Sequence, residues 1–236
     1  DEDLSGVTGI EVLQAADSGS NQITVGQNAE ASGISVVIGG QDDDILDARD
    51  YSGALSLSGG GGDDGFLISA GFKLRSQAVG GGLGTDTLSF TGDALSVTDT
   101  DFALASSIEF LKTANGNNRI TLGASAQTAG LSTIQGGTGR DTLSASGFTG
   151  NVTLISGTGK TAALLGDSLI GGAGADSLVG SNNADVLNGG GGIDTMEGGI
   201  GNDTYYIGDD GDMVMDTLDG GANLLIVGDD VNTVDV

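Results

Sequence analysis

Residues 162–215 read AALLGDSLI, GGAGADSLV, GSNNADVLN, GGGGIDTME, GGIGNDTYY and IGDDGDMVM, six consecutive blocks of nine. The sixth position of every block is aspartate: Asp167, Asp176, Asp185, Asp194, Asp203 and Asp212. The eighth is apolar or aromatic: Leu169, Leu178, Leu187, Met196, Tyr205 and Val214. Glycine dominates positions one, two and four, as at Gly172, Gly174, Gly190, Gly192, Gly199 and Gly201.

Glycine lets the chain turn tightly with positive φ and brings backbone carbonyls toward one point. Three residues of each block then remain for a short strand. One nonapeptide is half a rung, and two complete a turn. Residues eighteen apart therefore stack about 4.8 Å from one another. This spacing predicts one column of Asp167, Asp185 and Asp203 and a second of Asp176, Asp194 and Asp212. Bare carboxylates so placed repel, and a hard cation between them converts repulsion into coordination. Oxygen-only donors in flexible geometry suit Ca²⁺. The chain has no His and no Cys, which disfavours zinc and copper. The expected gaps are 167–185, 176–194, 185–203 and 194–212. Asp194→Ala is expected to remove two of them, and Asp167→Ala, at a column end, one.

The pattern G-G-x-G-x-D-x-U-x resembles that of the RTX (repeats-in-toxin) β-roll family. The resemblance implies an all-β, right-handed parallel β-roll or β-helix solenoid that binds several Ca²⁺ ions at its turns. It also implies type I secretion by an uncleaved C-terminal signal, and Asn232–Val236 loosely resembles such a tail. Residues 84–157 resemble the β-rich repeats of bacterial S-layer proteins and surface adhesins, through Asp86-Thr-Leu-Ser-Phe90, Ile108-Glu-Phe-Leu111 and Ser146-Gly-Phe-Thr-Gly150.

Outward from the nonapeptides, the motif thins. Residues 1–38 read as short strands at Ile10–Leu13, Gln22–Val25 and Ile34–Ile38, with one helical turn at Asn28–Ser32. Three spaced Gly-Asp motifs follow, ending at Asp44, Asp64 and Asp86. Separations of 20 and 22 residues (44 to 64, 64 to 86) predict full rungs with one metal-type turn and one ordinary turn, and a single carboxylate column. Leu55, Leu57, Phe66 and Ile68 alternate as inward residues. The plan then recurs. Asn21–Gly26 matches Asn118–Gly123, Gly39–Leu46 matches Gly136–Leu143, and Ser52–Leu57 matches Thr149–Leu154, each at an offset of 97 (21 to 118, 39 to 136, 52 to 149). Asp141 is the counterpart of Asp44 in this tandem duplication. Asp64 aligns with Thr161, beside Lys160, which predicts a weakened metal turn near 157–161. The expected divisions are a first arm at 1–100, the start of a second at 101–161, the dense block at 162–216, and capping strands with a secretion tail at 217–236.

Composition narrows the function. Among 236 residues, 33 are acidic and 7 basic, a net charge of −26. That excludes general nucleic-acid binding, which needs a cationic surface, and argues against anionic membranes. High charge with low hydrophobicity favours disorder. Here the apolar residues are phased, so the expectation is disorder without Ca²⁺ and folding with it. With no Cys to staple the chain, metal takes that role. No run approaches the roughly 20 apolar residues of a membrane span, so no membrane insertion is expected. The chain opens on Asp1 rather than Met, which reads as a processed product or an excised piece.

Enzyme signatures fail on inspection. Gly166-Asp-Ser-Leu169 spells an esterase motif, but its serine needs a His base and the chain has none. Neither H-E-x-x-H nor G-x-S-x-G occurs. Gly157-Thr-Gly-Lys-Thr161 resembles the end of a phosphate loop, yet Leu154 stands where its first glycine belongs. The acid runs at Asp42–Asp44, Asp63–Asp64, Asp209–Asp210 and Asp229–Asp230 lie on Gly-rich turns and lack the aromatic-walled cleft of a glycosidase. No sustained T-x-T array suggests ice binding. The expectation is a non-enzymatic, secreted Ca²⁺-binding structural protein of the bacterial surface or matrix. It would hold roughly six ions and assemble with copies of itself into a lattice or fibre. The alternatives are the secretion and folding module of a larger enzyme or toxin, and an adhesin region that binds cell-surface polysaccharide.

Overall fold

The computed structural model describes residues 2–70, 72, 77–157, 166–208, 212–215 and 222–228. The chain forms two compact units. The first comprises Asp1–Gly92, Thr100–Lys112 and Thr128–Leu131, and the second Asp93–Asp99, Thr113–Gln127 and Ser132–Val236.

In the first unit one parallel sheet runs Val12–Gln14, Val36–Ile38, Ser56–Gly61, Val79–Leu83 and Ala105–Ser106. The other runs Gln22–Thr24, Ile45–Ala48, Gly65–Ile68, Thr87–Phe90 and Phe110–Lys112. Strands consecutive in sequence belong to different sheets, so each strand's hydrogen-bonded partner arrives one full rung later. That is a β-solenoid. The expected strands at 10–13, 22–25 and 34–38 appear within two residues of their predicted bounds.

The second unit repeats the plan. One ladder runs Thr133–Gln135, Thr153–Ile155, Ser177–Val179, Thr195–Glu197 and Met213–Met215. The other runs Ser96–Thr98, Arg119–Thr121, Thr142–Ser144, Ser168–Ile170, Val186–Asn188, Thr204–Ile207 and Leu224–Val227.

Each core is a ladder of one inward residue per short strand, because side chains alternate between the two faces of a strand. In the first unit Leu46, Phe66, Leu88 and Leu111 are in register and at most 1% exposed. In the second, Leu143, Leu169, Leu187 and Tyr205 stack in the same way at 0–2% exposure. Burying each such side chain contributes about 1.5–3 kcal/mol. The eighth position of the nonapeptide is thus the core position from block to block. Its neighbours Ser168 and Thr204 are only partly covered.

Local exceptions mark the duplication. A helical turn at Gln27–Ser32 is closed by Gly33 at φ 98, which donates to the Ala29 and Glu30 carbonyls. A second helix starts at Ala124, the same offset from Gln27 as the matched sequence blocks. Among the described residues, no helix is long and apolar enough to cross a membrane. The expected weak turn near 157–161, the Gly157–Thr161 loop, Asp209–Asp210, Asp229–Asp230 and the Asn232–Val236 tail lie wholly or mostly outside the described residues.

Candidate metal centres

The turns are built around glycines that leave no room for a side chain. A Cβ on Gly59 would strike Asp64 Oδ2 and the Gly81 carbonyl oxygen. On Gly39 it would strike Asp44 Oδ2 and the Gly59 carbonyl, and on Gly171 the Gly189 carbonyl and Asp176 Oδ2. At each such turn a carboxylate oxygen and the carbonyl of the next rung flank the first glycine. Gly190, Gly192, Gly199 and Gly201 have φ between 92° and 144°, the left-handed region that glycine adopts freely. They pack over the carbonyls of Gly172, Gly174, Ser181 and Asn183, one rung back. Gly172 and Gly174 therefore present their own carbonyls to the rung that follows.

A hydrogen-bond ladder stacks the aspartates. Within each column, every aspartate before the last donates its N–H to Oδ1 of the aspartate one rung further on. In the first unit Asp44 bonds to Asp64 at 2.8 Å and Asp64 to Asp86 at 2.8 Å. In the second, one column runs Asp141 to Asp167 (2.7 Å), Asp167 to Asp185 (2.5 Å) and Asp185 to Asp203 (2.8 Å). The other runs Asp176 to Asp194 (2.8 Å) and Asp194 to Asp212 (3.0 Å). Among the described residues, the first unit has one buried carboxylate column, ahead of one sheet. The second has two, one ahead of each. All of these aspartates but Asp212 are buried.

Burial and like charge set their electrostatics. Carboxylates one rung apart, about 4.8 Å, repel by about 3–4 kcal/mol at an effective dielectric near 20. Burial pushes the Asp64 carboxyl up to about 6. The Asp44 N–H works against that shift, and the charges of Asp86, Asp44 and Asp43 add to it. Asp86, Asp176 and Asp185 are also raised, chiefly by burial. Some of the second oxygens are satisfied within their own turn. Asp44 Oδ2 accepts from Gly40 N–H at 2.5 Å, and Asp176 Oδ2 from Gly172 N–H at 2.6 Å. Asp64 Oδ2 and Asp86 Oδ2 are buried and accept no hydrogen bond.

These features fit a hard cation. The donors are carboxylate and carbonyl oxygens, buried acceptor atoms stand without donors, and the neighbouring charges call for neutralisation. Among the described residues, no three acidic side chains converge. Each gap therefore offers two carboxylates, with backbone carbonyls as the remaining protein donors.

The protein-family model described as the RTX calcium-binding nonapeptide repeat (4 copies) matches residues 128–147, 165–196 and 179–214. This chain carries RTX calcium-binding repeats. It is a calcium-binding β-roll protein, with Ca²⁺ as its metal. No curated protein and no solved structure matches the chain. The RTX matches fall on the two dense columns of the second unit and on the turn of Asp141. The column of Asp44, Asp64 and Asp86 lies outside them but has the same ladder geometry.

One sequence reading changes and one holds. Asp167 is no column end: Asp141 stands one rung before it across 26 residues, and the gap between them joins the four expected ones. Gly166-Asp-Ser-Leu169 is an RTX turn followed by its core residue, with Asp167 at 1% and Leu169 at 0% exposure.

Asn21 and Asn118, matched across the duplication, were missed as functional positions. Asn118 Nδ2 donates to the Ala114 carbonyl (2.8 Å), the Gly116 carbonyl (3.0 Å) and Asp141 Oδ1 (2.9 Å). Asn21 Nδ2 donates likewise to the Gly19 carbonyl (2.8 Å) and Asp44 Oδ1 (2.9 Å). At the head of the ladders of Asp44 and Asp141 a side-chain amide thus supplies a positive end, whereas the ladder of Asp176 is headed by the Val152 N–H. The only sequence signal was Asn where the period puts Asp.

Proposed function

We propose that this protein is an extracellular structural β-roll of the bacterial surface or matrix that folds on meeting calcium and then assembles with copies of itself. The observation that carries this reading is the stacking of buried carboxylates within each unit. Without cations such columns are self-repelling; Ca²⁺, when bound, neutralises neighbouring carboxylates and completes the turns. Extracellular calcium modules have Kd of about 10⁻⁴–10⁻³ M, far above cytosolic calcium. The chain would leave the cell unfolded and fold outside by mass action.

The assembly part rests on apolar side chains exposed on the outermost described strands. Leu224 and Met213, each 54% exposed, lie on the last described strands of the two ladders of the second unit. Val12, at 50%, lies on the first strand of a ladder in the first. Apolar side chains exposed on strands in this way can pack against another chain.

Calcium titration of the purified chain, followed by circular dichroism and light scattering, tests both parts. The expected result is a gain of β signal and then a rise in particle mass. Folding without a mass increase removes the assembly claim and favours a folding module of a larger secreted protein. Polysaccharide binding without self-association favours an adhesin. No response to calcium removes the whole reading.

A further inference from the structure

We propose that Glu109 and Asp86 form a further calcium site in the first unit, extending the column of Asp44, Asp64 and Asp86 by one rung. The inference rests on the calcium reading of the columns and goes beyond it, because this turn contains neither the Gly-Gly-x-Gly motif nor an aspartate.

Asp86 N–H donates to Glu109 Oε2 at 2.8 Å, the same bond that Asp44 makes to Asp64 and Asp64 to Asp86. A carboxylate therefore occupies the next rung of the ladder, carried by glutamate. Asp86 is fully buried, and its Oδ2 accepts no hydrogen bond. That oxygen faces the same kind of cradle as Asp64 Oδ2: a Cβ on Gly81 would strike both Asp86 Oδ2 and the Ser107 carbonyl oxygen. Ser107 holds left-handed backbone at φ 51, a conformation that side-chain-bearing residues seldom adopt. Its carbonyl stands toward Gly81 as the Gly81 carbonyl stands toward Gly59.

The substitution of Glu for Asp has a geometric reason. Five positions separate Gly81 from Asp86, but only two separate Ser107 from Glu109. The extra methylene of glutamate compensates for this shorter turn. Gly130, at φ 108, keeps the space beside it open, since a Cβ there would lie 3.3 Å from Glu109 Oε1. Asp86 Oδ2, the Ser107 carbonyl and the Glu109 carboxylate thus bound one gap of hard oxygen donors, as Ca²⁺ prefers.

Equilibrium dialysis of the full chain against CaCl₂ tests the site. Glu109→Gln keeps an oxygen acceptor for the Asp86 N–H and removes the charge. It is expected to bind one Ca²⁺ fewer than the wild type, while Glu11→Gln, at an exposed carboxylate outside the column, leaves the number unchanged. Equal stoichiometry for Glu109→Gln and wild type overturns the proposal while leaving the calcium reading intact. A wild type that binds no calcium overturns both. The crystal structure of the calcium-loaded wild type gives a test independent of any variant's folding. A cation coordinated by Asp86 Oδ2, the Ser107 carbonyl and Glu109 supports the site, and a gap holding only water overturns it.

Discussion

Replacing Asp194 by Asn exchanges one oxygen for nitrogen and disables two cation gaps. Asp194 Oδ1 accepts the Asp176 N–H at 2.8 Å, and its own N–H donates to Asp212 Oδ1 at 3.0 Å. It therefore borders the gaps on both sides. Asp176 borders only one, because the residue before it in the ladder is Val152, whose N–H it accepts at 2.8 Å. Asparagine retains the Oδ1 acceptor, so the ladder hydrogen bond survives and only the charge is lost. At free calcium 10 to 100 times Kd, each site adds about 1.4–2.7 kcal/mol to stability. Asp194→Asn should then lose about 3–5 kcal/mol in calcium, and Asp176→Asn about half as much. At about 2–4 °C per kcal/mol for a chain of this length, Tm falls by about 6–20 °C for the first variant. In chelator the order changes: whatever β signal remains should be no lower in Asp194→Asn than in wild type, because the variant relieves repulsion from Asp176 and Asp212. Isothermal titration reads the stoichiometry, and thermal melts with calcium and with chelator read the stability. Equal stoichiometry in the two variants would refute the column argument. So would an Asp194→Asn loss as large in chelator as in calcium.

Leu169→Ala removes a fully buried residue held in register between Leu143 and Leu187, and should cost about 2–5 kcal/mol in urea denaturation with calcium present. Ser168→Ala on the same strand, at a partly covered position, should stay within about 0.5 kcal/mol; a similar loss in both would contradict the ladder core. Asn118→Asp exchanges the amide donor at the head of the second unit's ladder for a carboxylate beside Asp141. Calcium binding should gain one ion per chain and stability in chelator should fall, and an unchanged ion number would show that the amide is not what keeps that gap closed to cations. Asp64 titrates at about 6 in the folded chain against an ordinary 3.8, so the folded state holds its proton more tightly than the unfolded state does. The β signal in chelator should therefore rise as pH falls from about 6 toward 3.8, while the calcium needed for half-saturation rises over the same window because proton and cation compete. Asp64→Asn should flatten both trends, and an unaltered pH profile in that variant would remove Asp64 as their source.

The solenoid, its inward residues and the two dense columns were legible from residues 162–215 alone. The reason is local. A nine-residue period fixes which residue faces inward and which begins the turn, whatever lies elsewhere in the chain. Full-rung spacings of 20 and 22 residues read Asp44, Asp64 and Asp86 as one column, because each follows a Gly-Gly turn, although Asp42 stands where the first of these turns should have a further glycine. The period could not say what stacks where the glycines or the spacing lapse. Asp141 lies on Asp167 across 26 residues, Glu109 follows Asp86, and Asn118 heads the second arm. Loops of unequal length leave the register open in the sequence. Strand pairing and packing of the inward side chains close it, and only then is it decided which oxygen meets which across a rung.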